Sequence, residues 1–203
     1  MKTMNFLVTG VGGQGALLVS DILADVGVRA GYDVKKSEVH GMAQRGGSVT
    51  STVRWGKVVY SPLIGQGEAD YLLALEKLEA LRYVGMLCPG GTAVVGDMGI
   101  PPLSVSSGDD VYPNDEQVRR VLSQVTGDYH FIPSVRLAED LGNARAHNVV
   151  LLGTLSTFID DVPPEVWLQS IRERVPKRFV ELNERAFYAG REARSSVQRT
   201  GRI

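Results

Sequence analysis

Residues 4–31, MNFLVTGVGGQGALLVSDILADVGVRAG, decide the fold class. Positions 4–9 form an apolar run, as a strand buried on both faces requires. Gly10, Gly12 and Gly15 follow. Leu17, Leu18, Ile22 and Val26 then recur at three- and four-residue steps, the period of a helix, which Gly31 ends. The order is strand, glycine turn, helix. A strand over 33–39 completes a βαβ unit whose crossover is expected to be right-handed.

Outward from this unit, strand and helix signals alternate. A half-exposed strand is predicted over 48–55, and the turn at Gly56 and Lys57 is expected to return it as a hairpin with 58–61. A strand at 69–75 leads into a short helix from Glu76. Pro89, Gly90 and Gly91 make a turn before a buried strand at 92–96. Residues 97–113 are rich in Pro, Ser, Gly and Asp and read as an irregular excursion. Asn114 or Asp115 caps a helix running to about 125. A strand at 129–133, then helices over 134–141, 143–159, 165–174 and 176–195, complete the chain. The expectation is a three-layer α/β/α, Rossmann-like domain with a mostly parallel sheet. It is read as a single domain over 1–203, with the helices of 143–195 packed on it and a frayed tail at 196–203.

The chain has 203 residues, 43% of them apolar and 22% charged, with a net charge of −1. This is ordinary for a globular protein and gives no basic field for nucleic acid. The glycine-broken start predicts neither a signal peptide nor a membrane span, so a cytoplasmic location is expected. Cys88 is the sole cysteine. It has no disulfide partner within the chain, cannot ligate an iron–sulfur cluster by itself, and reads as a small core residue. Three scattered histidines add no metal-ligand spacing.

Two stretches concentrate residues suited to a ligand or partner. The first is the turn Gly10, Gly12, Gly13, Gln14 and Gly15. Its GxGxxG spacing between strand and helix lets an anion meet backbone N–H groups at a helix N-terminus. The acid that a bound ribose needs about 20 positions on is poorly supplied. Asp33 comes early, and Lys35 and Lys36, which could meet a phosphate, stand where it should be. Classical NAD(P) binding, an anionic or phosphate-bearing ligand, and tight packing alone all stay open. The second stretch, 35–54, KKSEVHGMAQRGGSVTSTVR, has a loop that sets His40, Gln44, Arg45, Gly46 and Gly47 close together. Arg45 offers a planar fork of donors for phosphate or carboxylate, and a water-facing bent hairpin is the plainer alternative. His40 suits binding better than acid–base work. His130 reads as a satisfied core or interface group, and His147 as part of a helix terminus. From the residues alone this is a ligand-presenting module without complete catalytic machinery.

Three ordered runs, GVGGQG, then KKSEVHGMAQRGGSVTSTVRWG, then SPLIGQGEADYLLALEKLEALR, resemble the gamma-type module of the 2-oxoacid:ferredoxin oxidoreductase family, above all its indolepyruvate branch. The likeness is strong over 4–100 and continues in character through ARAHNVVLLG. It implies a non-catalytic subunit of a thiamine diphosphate-dependent complex that oxidises a 2-oxoacid and passes electrons to ferredoxin. Thiamine diphosphate and [4Fe–4S] clusters would belong to a large partner subunit, and ferredoxin would be an indirect partner. The glycine turn and the loop from His40 to Gly47 would face that partner and help enclose coenzyme A. Charge makes Lys35, Lys36 and Arg45 candidate coenzyme A contacts. The isolated chain is expected to be inactive, and its self-association stays open, as does a stand-alone nucleotide- or coenzyme A-binding role.

Overall fold

The computed structural model describes residues 3–40 and 47–196. Six strands form one sheet in the order β2-β3-β1-β4-β5-β6. They are β1 (Met4–Val11), β2 (Asp33–His40), β3 (Ser48–Gly56), β4 (Ala69–Ala74), β5 (Leu87–Gly96) and β6 (Tyr129–Ile132). β1, β4, β5 and β6 are parallel, and β3 runs antiparallel to both β1 and β2. The sheet is mostly parallel, as expected. The βαβ unit differs, because β2 does not lie beside β1. β3 separates them, pairing Val49 with Gly10 on one side and with His40 on the other.

The helices are α1 (Ala16–Arg29), α2 (Lys77–Tyr83), α3 (Leu103–Ser106), α4 (Asp115–Val125), α5 (Ser134–Asp140), α6 (His147–Ser156), α7 (Pro164–Arg174) and α8 (Val180–Ser196). Alternate β1 side chains face opposite layers. Phe6 and Val8 join the core formed with α1, α6, α7 and α8, whereas Leu7 joins the smaller core under α2 and α4. The larger core is centred on aromatics, with Phe6 and Trp55 rings 4.7 Å apart and Trp55 and Trp167 6.2 Å apart. Every residue of α6 is buried, which its all-round apolar sequence requires. α6 and α8 touch backbone to backbone. A Cβ on Gly190 would lie 1.8 Å from the Val150 carbonyl oxygen, and one on Gly153 2.0 Å from that of Phe187. Asn114 caps α4 reciprocally with Gln117, through two bonds of 2.9 Å.

Three local expectations change. Residues 58–61 form no strand, because β3 takes β2 as its hairpin partner and the Val59 N–H donates to Asp33 Oδ2 at 2.8 Å. The turn at Pro89–Gly91 sits inside β5 as an irregularity, across which Ala69 pairs with Leu87 but Tyr71 with Thr92. Cys88 is half-buried rather than core.

Candidate functional site

In a parallel sheet the carboxyl ends of the strands are the usual ligand edge. Here β1 ends in the glycine turn. The Val11 N–H donates to Gln14 Oε1 at 2.7 Å, and Gln14 Nε2 donates to the Leu75 carbonyl at 3.2 Å and to Met98 Sδ at 2.9 Å. Gln14 is therefore buried and braces the turn from beneath. Gly15 has φ +83°, and a Cβ there would lie 2.3 Å from Asn148 Nδ2. That amide donates to the Gln14 carbonyl at 3.2 Å, fastening the turn to α6.

The two stretches singled out in the sequence meet. The Gly12 N–H donates to the Gly47 carbonyl at 2.9 Å, so the end of the second loop lies against the first. Of that loop, Gln44, Arg45 and Gly46 lie outside the described residues, and His40 is described only as the last residue of β2. Lys35 and Lys36 are not brought to the turn. Through β3 they align with Asn5 and Phe6, four to five residues below Gly10, roughly 13–17 Å at the rise of a strand. Lys35 pairs with Asp33 at 2.5 Å, and Lys36 with both Asp21 and Glu38. The inserted β3 also removes the usual NAD geometry, in which the ribose-binding acid ends the strand next to β1.

Two buried carboxylates, which sequence reading passed over, support this end of the sheet. Glu79 Oε2 accepts from Ser48 Oγ at 2.5 Å and Thr9 Oγ1 at 3.3 Å, while Oε1 pairs with Arg82. It ties the first residue of β3 to β1. Glu76 caps α2 by accepting from the Glu79 N–H, and it also takes the Ile100 N–H and the Tyr112 hydroxyl. It thereby pins the 97–113 excursion, with Lys77 bound to Asp115 at 2.7 Å. Burial, and then the Glu76 charge, push the Tyr112 hydroxyl pKa well above its usual value.

Between the turn and the excursion lies a cavity of about 430 Å³, lined by Gly12, Gly13, Gln14, Gly15, Met98, Ile100, Ala144, Arg145, His147 and Asn148. Arg145 is exposed. His147 is 3% exposed and its Nδ1 has no hydrogen-bond partner. Burial pushes its pKa down to about 4 against an opposing pull from Asp97, so the ring is neutral at pH 7. Beyond Arg145 and Asn148 a smaller groove of about 200 Å³ runs over Leu18, Val175, Phe179 and Leu182. His147 packs the start of α6, as expected, and also lines this cavity. Its signal in the sequence was a polar cluster, Asn143, Arg145, His147 and Asn148, opening an apolar helix. His130 is buried as expected but only half satisfied: Nε2 meets Asp128 Oδ1 at 2.9 Å while Nδ1 is unpartnered. Among the described residues, no group of three or more His, Cys, Asp or Glu is placed to hold a metal, and no helix is long and apolar enough to cross a membrane.

The model of the family described as pyruvate ferredoxin/flavodoxin oxidoreductase matches residues 5–193. The chain is 40% identical to indolepyruvate oxidoreductase subunit IorB of Thermococcus kodakarensis over 195 residues, covering 95% of this chain and 96% of that one. It is also 40% identical to the subunit of that name from Archaeoglobus fulgidus, covering 92% and 93%. Among solved structures, the gamma subunit of a keto/oxoacid ferredoxin oxidoreductase from Geobacter sulfurreducens superposes with a TM-score of 0.69 at 26% identity, covering 96% of this chain and 99% of that one.

Proposed function

We propose, for a chain that belongs to the pyruvate ferredoxin/flavodoxin oxidoreductase family, the role of a non-catalytic small subunit in a thiamine diphosphate-dependent 2-oxoacid:ferredoxin oxidoreductase. Its 2-oxoacid is indolepyruvate or a related aryl pyruvate. Identity to indolepyruvate oxidoreductase subunits over nearly the full length of both chains is the observation that carries this reading. Catalysis belongs to a large partner that holds thiamine diphosphate and the [4Fe–4S] clusters. A lone cysteine in this chain is consistent with that division, since such a cluster takes four cysteines.

The surface facing the partner is the carboxyl edge of the sheet: the glycine turn, Gly47 and the loop before it with His40, Gln44, Arg45 and Gly46. The Gly12–Gly47 hydrogen bond supports treating these as one surface. There the subunit closes the partner's active site and encloses coenzyme A, whose diphosphate suits the cavity beside the turn better than the ion-paired Lys35 and Lys36.

The test is to recover the tagged chain from its native host. Co-purification of a large thiamine diphosphate- and cluster-bearing subunit is expected, together with indolepyruvate-dependent reduction of ferredoxin by the complex and none by the chain alone. Recovery of the chain without such a subunit overturns the reading.

A further inference from the structure

We propose that β2 is an edge for self-association. Two copies of the chain pair antiparallel along residues 35–39, about a two-fold axis through Ser37, and so join their sheets into one. The inference goes beyond the subunit reading and rests on the strand order and sequence of this chain.

The two edges of the sheet are not alike. β6 is an edge of four residues, Tyr129–Ile132. β2 has eight, more than the usual five or six or so, and runs along β3 from Asp33 to His40 without a shift of register. Among the described residues no strand pairs with its outer side. An open edge presents a row of backbone N–H and C=O groups to any matching strand, and proteins commonly blunt one with proline, a bulge or a lysine. β2 has neither proline nor bulge. Its two lysines are not unmatched charges: Lys35 pairs with Asp33 at 2.5 Å, and Lys36 with Asp21 and Glu38. Val39 is 63% exposed, an apolar side chain left open to water at the edge.

The sequence of β2 singles out one occupant and one register. Opposed residues of an antiparallel pair carry their side chains on the same face of the sheet, so in a two-fold dimer one residue faces its own copy. Centring on Lys35, Lys36 or Glu38 sets like charges directly opposite, which is destabilising. Centring nearer either end leaves few residues paired. Centring on Ser37 sets hydroxyl against hydroxyl, each Lys36 against the Glu38 of the other copy, and each Lys35 against the other copy's Val39. Ion pairs then run between the strands as well as along them, and the aliphatic stem of Lys35 covers the exposed valine. A second copy is thus the occupant whose charges this edge matches. One strand pair buries less surface than a permanent dimer needs, so the association is weak and reversible.

The experiment is sedimentation velocity on the full chain alone, from low to high micromolar concentration. Wild type is expected to pass from monomer to dimer, with hydrogen exchange at the β2 amides slowing in step. Ser37→Lys, which sets two like charges on the axis, is expected to weaken dimerisation by about tenfold or more. Ser37→Cys, made with Cys88→Ser, is expected to cross-link to its own copy on oxidation, whereas Lys35→Cys in that background is too far from its copy to do so. A wild-type chain that stays monomeric throughout overturns the proposal. So does a dimer that Ser37→Lys leaves intact, or a Lys35→Cys variant that cross-links as readily as Ser37→Cys. If wild type never dimerises and Ser37→Lys no longer recovers the large subunit from the host, the edge belongs to that subunit and the proposal also falls.

Discussion

The glycine turn and the α6–α8 crossing use the same residue to opposite ends. A Cβ at Gly13 in the turn would meet nothing within 4 Å, whereas one at Gly190 or Gly153 would strike a carbonyl oxygen at 2 Å or less. At the turn, glycine keeps space open at a surface. At the crossing it removes space, so that two backbones touch. Gly13 is exposed and leaves room for a methyl group, although a Cβ on Gly15 in the same turn would meet Asn148 Nδ2. The crossing is rigid, because the obstruction is main chain and has no rotamer to change.

Gly190→Val should sharpen this contrast most. The helices must separate, at a cost of about 3 kcal/mol or more, read as a lower urea midpoint. An unchanged midpoint would show that the crossing is looser than its geometry says. Next is the effect of acid on α6. Burial holds the His147 pKa near 4 against an ordinary 6.5, so the unfolded chain takes up its proton first. Stability from this group is complete above pH 6.5, drains away between 6.5 and 4, and is flat below. The full loss is about 3 kcal/mol, at roughly 1.4 kcal/mol for each pH unit between the two values. His147→Asn should flatten that part of the profile, and a variant that keeps the slope would assign it to another group.

Glu79→Ala should cost about 2 kcal/mol by leaving the Ser48 and Thr9 hydroxyls without their acceptor. It should also increase hydrogen exchange at the start of β3, where an unchanged rate would mean that the carboxylate does not hold the loop exit. Gly13→Ala, by contrast, should cost about 1 kcal/mol for a positive φ and no more. A larger loss would mean that the turn is as closely packed as the crossing. Smallest is Lys35→Ala, which breaks a half-exposed ion pair and should move stability by under about 0.5 kcal/mol. A loss well above that would mean that the pair is coupled to more of β2 than its exposure suggests.

The difference between the two glycine regions also explains what could be read in the sequence. The turn was legible because strand, glycine spacing and helix period occur within 28 consecutive residues, 4–31. The crossing was not, because a glycine inside an apolar helix reads only as a weak helix former until the facing helix is placed. The layers and the parallel core of the sheet followed from periodicity. The position of β2 did not, because strand order depends on long-range pairing. Lys35 and Lys36 lie away from the turn for a second reason as well, since they stand four to five residues before the end of β2, His40, which is level with Gly10. His147 was read only as part of a helix terminus for a related reason: about 130 residues separate it from the turn whose cavity it lines, with no local pattern joining them.

The place of α6 has a consequence for synthesis. β2 and β3 are close in sequence and pair antiparallel, an event of microseconds once both have left the ribosome. The inner face of the sheet at β4 and β5, with Leu73 and Val94, stays uncovered far longer, until the chain has grown past residue 156 to complete α6. At 5–20 residues per second that interval spans several seconds, during which a nascent chain presents a broad apolar surface. A transcript truncated before α6 should therefore yield an insoluble product, not a smaller folded one, and the cavity beside the glycine turn cannot form until that late helix docks.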